Sequence, residues 1–322
     1  MRQHTAQTSS GPAGPRPEQV AGRQWLAGEP RVTRLGDGAV RVVAPAKINL
    51  TLWVGPRRED GYHSVESIVA LISLVDRLTV QPSAKGCKLT CSLAGLACDR
   101  SNLVSRAALL MAERLNRPAN LRMHLEKSIP IGAGLGGGSS DAAACLLALN
   151  DLWSIGYDNR SLAEIAAQLG SDVPLFLNGP ISTVCGRGEV AEPVGFEWPF
   201  WAVLLVPQEQ IATAEVYQKF DELLTEPADV DRIDSQHLGL YKPETAGPVM
   251  FNMLTGAAFA VLPRLAQLAE ELLAAGAKAV QISGSGSALV CLFNSLGRAR
   301  CVVSRLSPRL RARAWIVHGG HL

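Results

Sequence analysis

The sequence predicts an α+β protein built as two lobes. Strand-like stretches joined by tight turns are mixed with helical stretches, without the regular β-α-β alternation of a parallel sheet. The length of 322 residues is ample for two domains. Apolar residues make up 47% and charged residues 19%, which suits a sizeable core. The formal net charge is only +2, so no field of one sign points to nucleic acid or a membrane surface.

Residues 1–30 are rich in Gln, Gly, Pro and Arg and lack an apolar period, which predicts a disordered extension. Order is expected to begin near Arg31, with one lobe over 31–195 and a second over 196–322. Val32–Leu35 and Ala39–Val43 flank Gly36-Asp37-Gly38, a hairpin signal in which Asp-Gly supplies the turn. Ile48, Leu50, Leu52 and Val54 alternate as a further strand. Leu78–Val80 and the run from Cys87 to Leu93 add strands. Residues 101–116 read as a helix opened by Ser101 or Asn102, with Leu103, Ala107, Leu110, Met111 and Leu115 on one face. Leu121, Met123 and Leu125 alternate in the next strand.

Asp141–Trp153 is rich in Ala and Leu and predicts a buried helix. Ser161 is expected to cap another helix, ending before Gly170. Residues 181–206 return to strands, and 225–248 read as a loop or linker. The last third predicts a helix (262–275), two strands (278–283 and 287–293), a helix (295–306) and a strand (313–317). No internal repeat is evident.

No apolar run approaches the ~20 residues that span a bilayer, and the N-terminus lacks the apolar block of a secretory signal. Seven cysteines at scattered positions fit a reducing cytoplasm better than a disulfide framework. Cys87 and Cys91 lack the second pair that a zinc site needs.

Between the strand at 121–125 and the helix after it lies Pro130-Ile131-Gly132-Ala133-Gly134-Leu135-Gly136-Gly137-Gly138-Ser139-Ser140. Five glycines within residues 132–138 leave backbone N–H groups bare to wrap phosphate oxygens. The following helix points its positive end the same way, and Ser139 and Ser140 add hydroxyls to cap the helix or meet phosphate or magnesium. A Walker A loop is excluded because Gly138 stands where the lysine belongs. Gly132, Gly134 and Gly137 fit a dinucleotide fingerprint, but the acid about twenty residues on, Asp151, falls at a helix end rather than a strand tip. A triphosphate loop of another kinase type and a simple surface loop stay open at this point.

Three further segments bear chemistry. Lys47 and Asn49 share one side of a strand. Asp172 follows a helix in Gly170-Ser171-Asp172-Val173-Pro174, where it can cap, or act as a general base near a bound hydroxyl. Ser283-Gly284-Ser285-Gly286-Ser287 is a small-residue turn that admits another backbone or a ligand.

In this order, the lysine strand, the glycine loop and the second glycine turn resemble the GHMP kinase superfamily. The segments Pro45–Leu50, Arg58–His63, Gly134–Ala143 and Gly170–Pro174 are most similar to its branch acting on 4-diphosphocytidyl-2-C-methyl-D-erythritol, and Asp60-Gly61-Tyr62-His63 distinguishes that branch. The likeness runs from about Ala44 to about Leu306. It implies a ribosomal-protein-S5-like N-terminal lobe, an α+β C-terminal lobe and an active site between them, using ATP and Mg²⁺. It further implies Lys47 and Asp172 as the catalytic pair, residues 130–140 around the ATP phosphates, and Asn102, Leu103 and Lys127 at the adenosine. Tyr62, His63 and Tyr217 are implied at the cytosine, the tyrosines stacking and His63 bonding the base edge. Asn49 and Thr213 are implied near the sugar alcohol.

Two features depart from the family pattern: the N-terminal extension, and Phe251–Thr255, which lacks the acids usual there. The expectation is a cytoplasmic small-molecule kinase, monomer or homodimer. A mevalonate- or homoserine-type kinase is the rival enzyme, and Asp60–His63 speaks against it. A non-catalytic ligand sensor on the same fold is the rival of another class, and the presence of both Lys47 and Asp172 speaks against that.

Overall fold

A computed structural model describes residues 30–194, 198–224 and 250–319. The tail expected over 1–30 and the linker expected over 225–248 fall almost wholly outside these residues, as does the junction between the expected lobes. One mixed sheet, rather than two, forms the frame. Its main path is β1 (Val32–Arg34), β2 (Val40–Arg57), β3 (His63–Pro82), β12 (Ala314–Gly319), β8 (Phe200–Leu205), β11 (Leu289–Phe293) and β10 (Gln281–Ile282). β5 (Leu121–Glu126) and β6 (Ile181–Cys185) pair with separate stretches of β3. β4 (Cys87–Cys91) extends β5, β7 (Val190–Pro193) extends β6, and β9 (Phe251–Asn252) pairs with β2.

The hairpin at β1 forms as expected, with Val32 opposite Val42 and Gly38 at a positive φ of 78°. The two strands read at 39–43 and 48–54 are one strand. Pro45 reads as a break because it lacks an N–H, but the register with β3 shifts between Pro45 and Ala46, and the irregularity absorbs it. β3 is likewise far longer than the Leu78–Val80 signal. β2 and β3 thus run through both halves of the molecule.

α1 (Leu103–Arg114) begins where expected, and Asn102 is its cap, accepting from the Val104 N–H at 2.9 Å. Leu121, Met123 and Leu125 of β5 are buried, as their alternation requires. α2 spans Gly137–Leu152, starting inside the glycine run rather than at Asp141. For α3 (Asn159–Ala166) the cap is Asp158, whose side chain accepts from the Ser161 N–H at 2.8 Å. Ser161 therefore sits within the first turn, a correction to its expected capping role. The expected 278–283 strand shrinks to β10, after which Gly284 and Gly286 turn the chain with positive φ.

α4 (Thr213–Leu223) and α5 (Thr255–Val261) precede α6 (Pro263–Ala274), α7 (Leu296–Arg305) and the single turn α8 (Pro308–Arg311). One core lies where α1, α2 and α3 cover β2, β3 and β5. A second gathers α4, α5, α6 and α7 with Leu52, Val54 and Val65 from the far ends of β2 and β3. A third, around Ile48, Leu50, Ile68 and Ile72, joins them and includes Ala133 and Leu135 of the glycine loop.

Candidate active site

A cleft of about 980 Å³ opens beside the middle of β2. Its walls come from distant parts of the chain: the 57–63 connection, the glycine loop, the Asp172 turn, the β6–β7 turn, α4 and the 283–287 turn. Lys47, Asn49 and Asp172 line it together, as do Tyr62, His63, Thr213 and Tyr217.

The glycine loop is fixed from below. Ala133 and Leu135 are buried, so alternate side chains anchor the loop. The Lys47 N–H donates to the Leu135 carbonyl at 3.0 Å, and the Ala288 N–H to the Ala133 carbonyl at 3.0 Å. Ser283 Oγ donates to the Gly134 carbonyl at 3.0 Å. Loop, lysine strand and second glycine turn are therefore one hydrogen-bonded unit. Two glycines are sterically required. A Cβ on Gly134 would lie 2.1 Å from the Ser283 carbonyl oxygen, and one on Gly136 would lie 2.7 Å from the Phe176 ring and 2.9 Å from Lys47 Cγ. Both also have positive φ, 75° and 69°.

Gly136 is the N-cap of α2, and no side chain caps the helix. The expected capping by Ser139 or Ser140 is thus absent, and the first-turn N–H groups point outward uncapped, a site suited to an anion. Ser140 is buried, and its Oγ has no hydrogen-bond partner among the described residues. Pro130 is half-buried at the entry of the loop, while Ile131, Gly132 and Gly138 are exposed along it.

Gly134 and Gly136 line the cleft, whereas Asn102, Leu103 and Lys127 do not; Leu103 and Lys127 lie beside the start of α2, and Asn102 caps α1 next to Leu103. Leu103 Cδ1 is 3.6 Å from where a Gly138 Cβ would be, and Lys127 Nζ is 2.8 Å from that of Gly137. Lys127 is buried, and its ammonium is engaged by two acids, Asp76 in contact and Asp141 Oδ2 at 3.2 Å. Asp76, fully buried, also accepts from the Ser128 N–H at 2.5 Å and the Ile129 N–H at 2.9 Å. Burial lowers the Lys127 pKa, but its two carboxylates outweigh that and hold it above the ordinary value. Burial, then the neighbouring Asp76, pushes the Asp141 carboxyl well above the usual range despite Lys127.

Lys47 is buried and donates to Asn49 Oδ1 at 2.6 Å. Asn49 Nδ2 donates to Ser67 Oγ at 2.7 Å, which fixes the amide orientation. Burial holds the Lys47 pKa below its ordinary value, and the charge of Asp172 offsets only part of this. Asp172 is exposed to the cleft and is not in direct ion-pair contact with Lys47. The arrangement can therefore place an acceptor of protons and a cation on either side of a bound group.

At the other end Tyr62 is 59% exposed, and Tyr217 is half-buried one turn into α4. The His63 ring lies 5.2 Å from that of Tyr217, tilted by 33°. His63 Nδ1 donates to the Gly55 carbonyl at 2.8 Å, and Nε2 is 3.2 Å from Asp221 Oδ1. Both ring nitrogens thus have protein partners, and a base edge would have to replace Asp221. Burial, with Asp172 adding, pushes the Tyr217 hydroxyl up to about 12. Thr213 Oγ1 is 2.9 Å from Ser285 Oγ, which joins α4 to the second glycine turn.

Sequence reasoning did not single out Arg187, Gly188 or Asp221, all of which line the cleft. Asp221 follows Tyr217 by one helical turn, so its position is readable once α4 is known to be a helix. Arg187 stands between two glycines in Gly186-Arg187-Gly188, a turn signal. Among the described residues no cluster of three or more His, Cys, Asp or Glu could hold a metal ion, and no helix is long and apolar enough to cross a membrane.

Residues 102–180 match the family described as GHMP kinases N terminal domain, and residues 241–310 match GHMP kinases C terminal. A Salinispora tropica protein named 4-diphosphocytidyl-2-C-methyl-D-erythritol kinase is 40% identical over 285 residues, 85% of this chain and 90% of that one. A crystal structure titled 4-(cytidine 5'-diphospho)-2C-methyl-D-erythritol kinase is 37% identical with a TM-score of 0.72, covering 88% of this chain and 100% of the other. Homoserine kinase from Cytophaga hutchinsonii shares the fold at 18% identity and a TM-score of 0.65, covering 90% of this chain and 96% of the other.

Proposed function

The chain belongs to the 4-diphosphocytidyl-2-C-methyl-D-erythritol kinase family of GHMP kinases, and on that premise we propose how its cleft performs the reaction. The reaction transfers the γ-phosphoryl group of ATP to the 2-hydroxyl of 4-diphosphocytidyl-2-C-methyl-D-erythritol. The products are the 2-phosphate and ADP, in non-mevalonate isoprenoid precursor biosynthesis. The observation that carries the assignment of roles is the meeting of Lys47 and Asp172 in one cleft, with the glycine loop on one side and Tyr62, His63 and Tyr217 on the other.

Asp172 accepts the proton of the 2-hydroxyl as its oxygen attacks the γ-phosphorus. The bond from that phosphorus to the β-bridging oxygen breaks, and ADP leaves. Lys47 stabilises charge on the transferring group. The uncapped N–H groups at the start of α2 hold phosphate oxygens, so most of the catalysis is positioning and electrostatics. Tyr62 and Tyr217 offer faces for the base, and Asn49 and Thr213 hold the sugar alcohol. Asn102 and Leu103 form the adenosine side, where Lys127 acts through its stem and backbone.

Mg²⁺ would neutralise charge across the phosphates. The oxygen donors on the loop are Ser139 and Ser140, and the buried, partnerless Ser140 Oγ fits a ligand of that kind. With no cluster of three or more His, Cys, Asp or Glu among the described residues to cage it, the ion would be held mainly by phosphate oxygens and water. Free cysteines at Cys87, Cys91, Cys98, Cys145, Cys185, Cys291 and Cys301 support a cytoplasmic enzyme.

The test is ADP release with ATP, Mg²⁺ and 4-diphosphocytidyl-2-C-methyl-D-erythritol, run beside mevalonate, homoserine and galactose. Turnover is expected with the cytidine compound alone. Asp172→Asn should lower kcat by about 10³-fold with ATP affinity retained. Turnover with a different alcohol would sink the roles of Tyr62 and His63, and ATP binding without turnover of any would favour a sensor.

A further inference from the structure

We propose that Arg187 grips the diphosphate linking the two ends of the substrate. This rests on the cytidine-substrate reading above. Such a substrate has a base at one end and the reacting alcohol at the other, so its negative charge lies between them.

In the cleft the interval between those ends is bridged by two consecutive residues. The Arg187 guanidinium carbon lies 5.3 Å from the centre of the Tyr62 ring, at the base end. The next residue, Gly188, abuts the catalytic base, because a Cβ placed on it would lie 3.5 Å from Asp172 Oδ1. Arg187 and Gly188 form part of the turn between β6 and β7, closed by the Cys185–Val190 pair. Gly186 and Gly188 have φ of 76° and 105°, so the turn needs glycine on both sides of the arginine. Glu189 braces it: its Oε2 accepts from the Arg187 N–H at 2.5 Å, and its Oε1 is 3.8 Å from Arg187 Nε.

The cleft has two other cations. Lys47 is bound to Asn49 at the reacting end, and Arg57 Nε donates to the Gly61 carbonyl at 3.1 Å. The carboxylates of Asp172 and Asp221 also line the cleft, so a diphosphate between its ends needs a cation to offset them. A guanidinium offers a planar fork of donors that matches phosphate oxygens, and its stack on Tyr62 orients that fork.

The experiment measures cytidine 5'-diphosphate and cytidine binding by calorimetry, with the ATP site filled by a non-hydrolysable ATP analogue. Arg187→Gln should weaken cytidine 5'-diphosphate by about tenfold, the usual scale for a charge-assisted contact, and leave cytidine within about twofold. Arg187→Lys, with charge but no fork, should fall between. In turnover, KM for the cytidine substrate should rise while KM for ATP holds. Equal weakening of both ligands would reduce Arg187 to a prop for Tyr62 and overturn the proposal, as would no change in either. A wild-type protein that binds neither ligand would bring down the cytidine reading, and Arg187 with it. Arg187 has a side chain 43% exposed, so its loss leaves no hole in the core.

Discussion

Two lysines flank the glycine loop, and both are buried, yet their surroundings act in opposite directions. Lys127, beneath the start of α2, touches two carboxylates, and its pKa is held above the ordinary value. Lys47, on the cleft side, has an amide in contact and its nearest acid farther off, and its pKa is held below it. Burial alone disfavours an ammonium, and the balance is set by whether carboxylates make contact. The difference separates holding from reacting. A lysine locked between two acids has a strong reason to stay put. A lysine whose charge is poorly compensated is stabilised further when phosphate charge develops beside it, which suits catalysis.

The largest effect that would break this contrast is on stability. Lys127→Met should destabilise the fold by about 3–5 kcal/mol, because it breaks the buried contact with Asp76 and leaves that fully buried acid without a cation. Urea unfolding measures this. A loss below ~1 kcal/mol would mean that the acids are already neutral and the lysine holds little.

Lys47→Met should do the reverse. It removes a poorly compensated buried charge, so stability should hold or rise slightly. Meanwhile kcat should fall by about 10²–10³-fold, the scale for losing one stabilising group at a developing charge. Unfolding and steady-state kinetics on the same variant decide the matter. A destabilised but active variant would reverse the roles assigned to the two lysines.

Much of this contrast was legible in part only. Lys47 announced itself because its strand, the glycine run and the Asp172 turn each carry a local pattern. Residues 132–138 show their backbone freedom directly in composition, and β5 shows its buried face in a period of two. The cluster around Lys127 has no local pattern, since Asp76 lies on β3 and meets Lys127 only through the β3–β5 register. α4 was missed because Val216 and Phe220 are its only buried residues, too narrow a stripe to show a helical period. With α4 unread, Asp221 had no visible relation to Tyr217 or His63. Arg187 was hidden for another reason: a glycine-flanked arginine reads as a plain turn until the sheet brings it opposite Tyr62.

The smallest effect sharpens the contrast most finely. In the folded protein the Asp141 carboxyl is held well above the ordinary carboxylate range, by burial and by Asp76. The folded state therefore binds this proton more tightly than the unfolded chain does. That contribution to stability is complete below the unfolded value and is lost as pH rises through the folded one. Asn cannot ionise, so Asp141→Asn escapes the loss while keeping the size of the side chain. The variant should match the wild type near the unfolded carboxyl value and gain on it as pH rises, by no more than about 1.4 kcal/mol per pH unit. Thermal unfolding of both proteins across that range reads the slope. A gap that widens in favour of the wild type would mean that Asp141 is ionised and that its pairing with Lys127 outweighs burial and Asp76 together. The two lysines would then differ in the number of acids around them and no longer in the protonation those acids adopt.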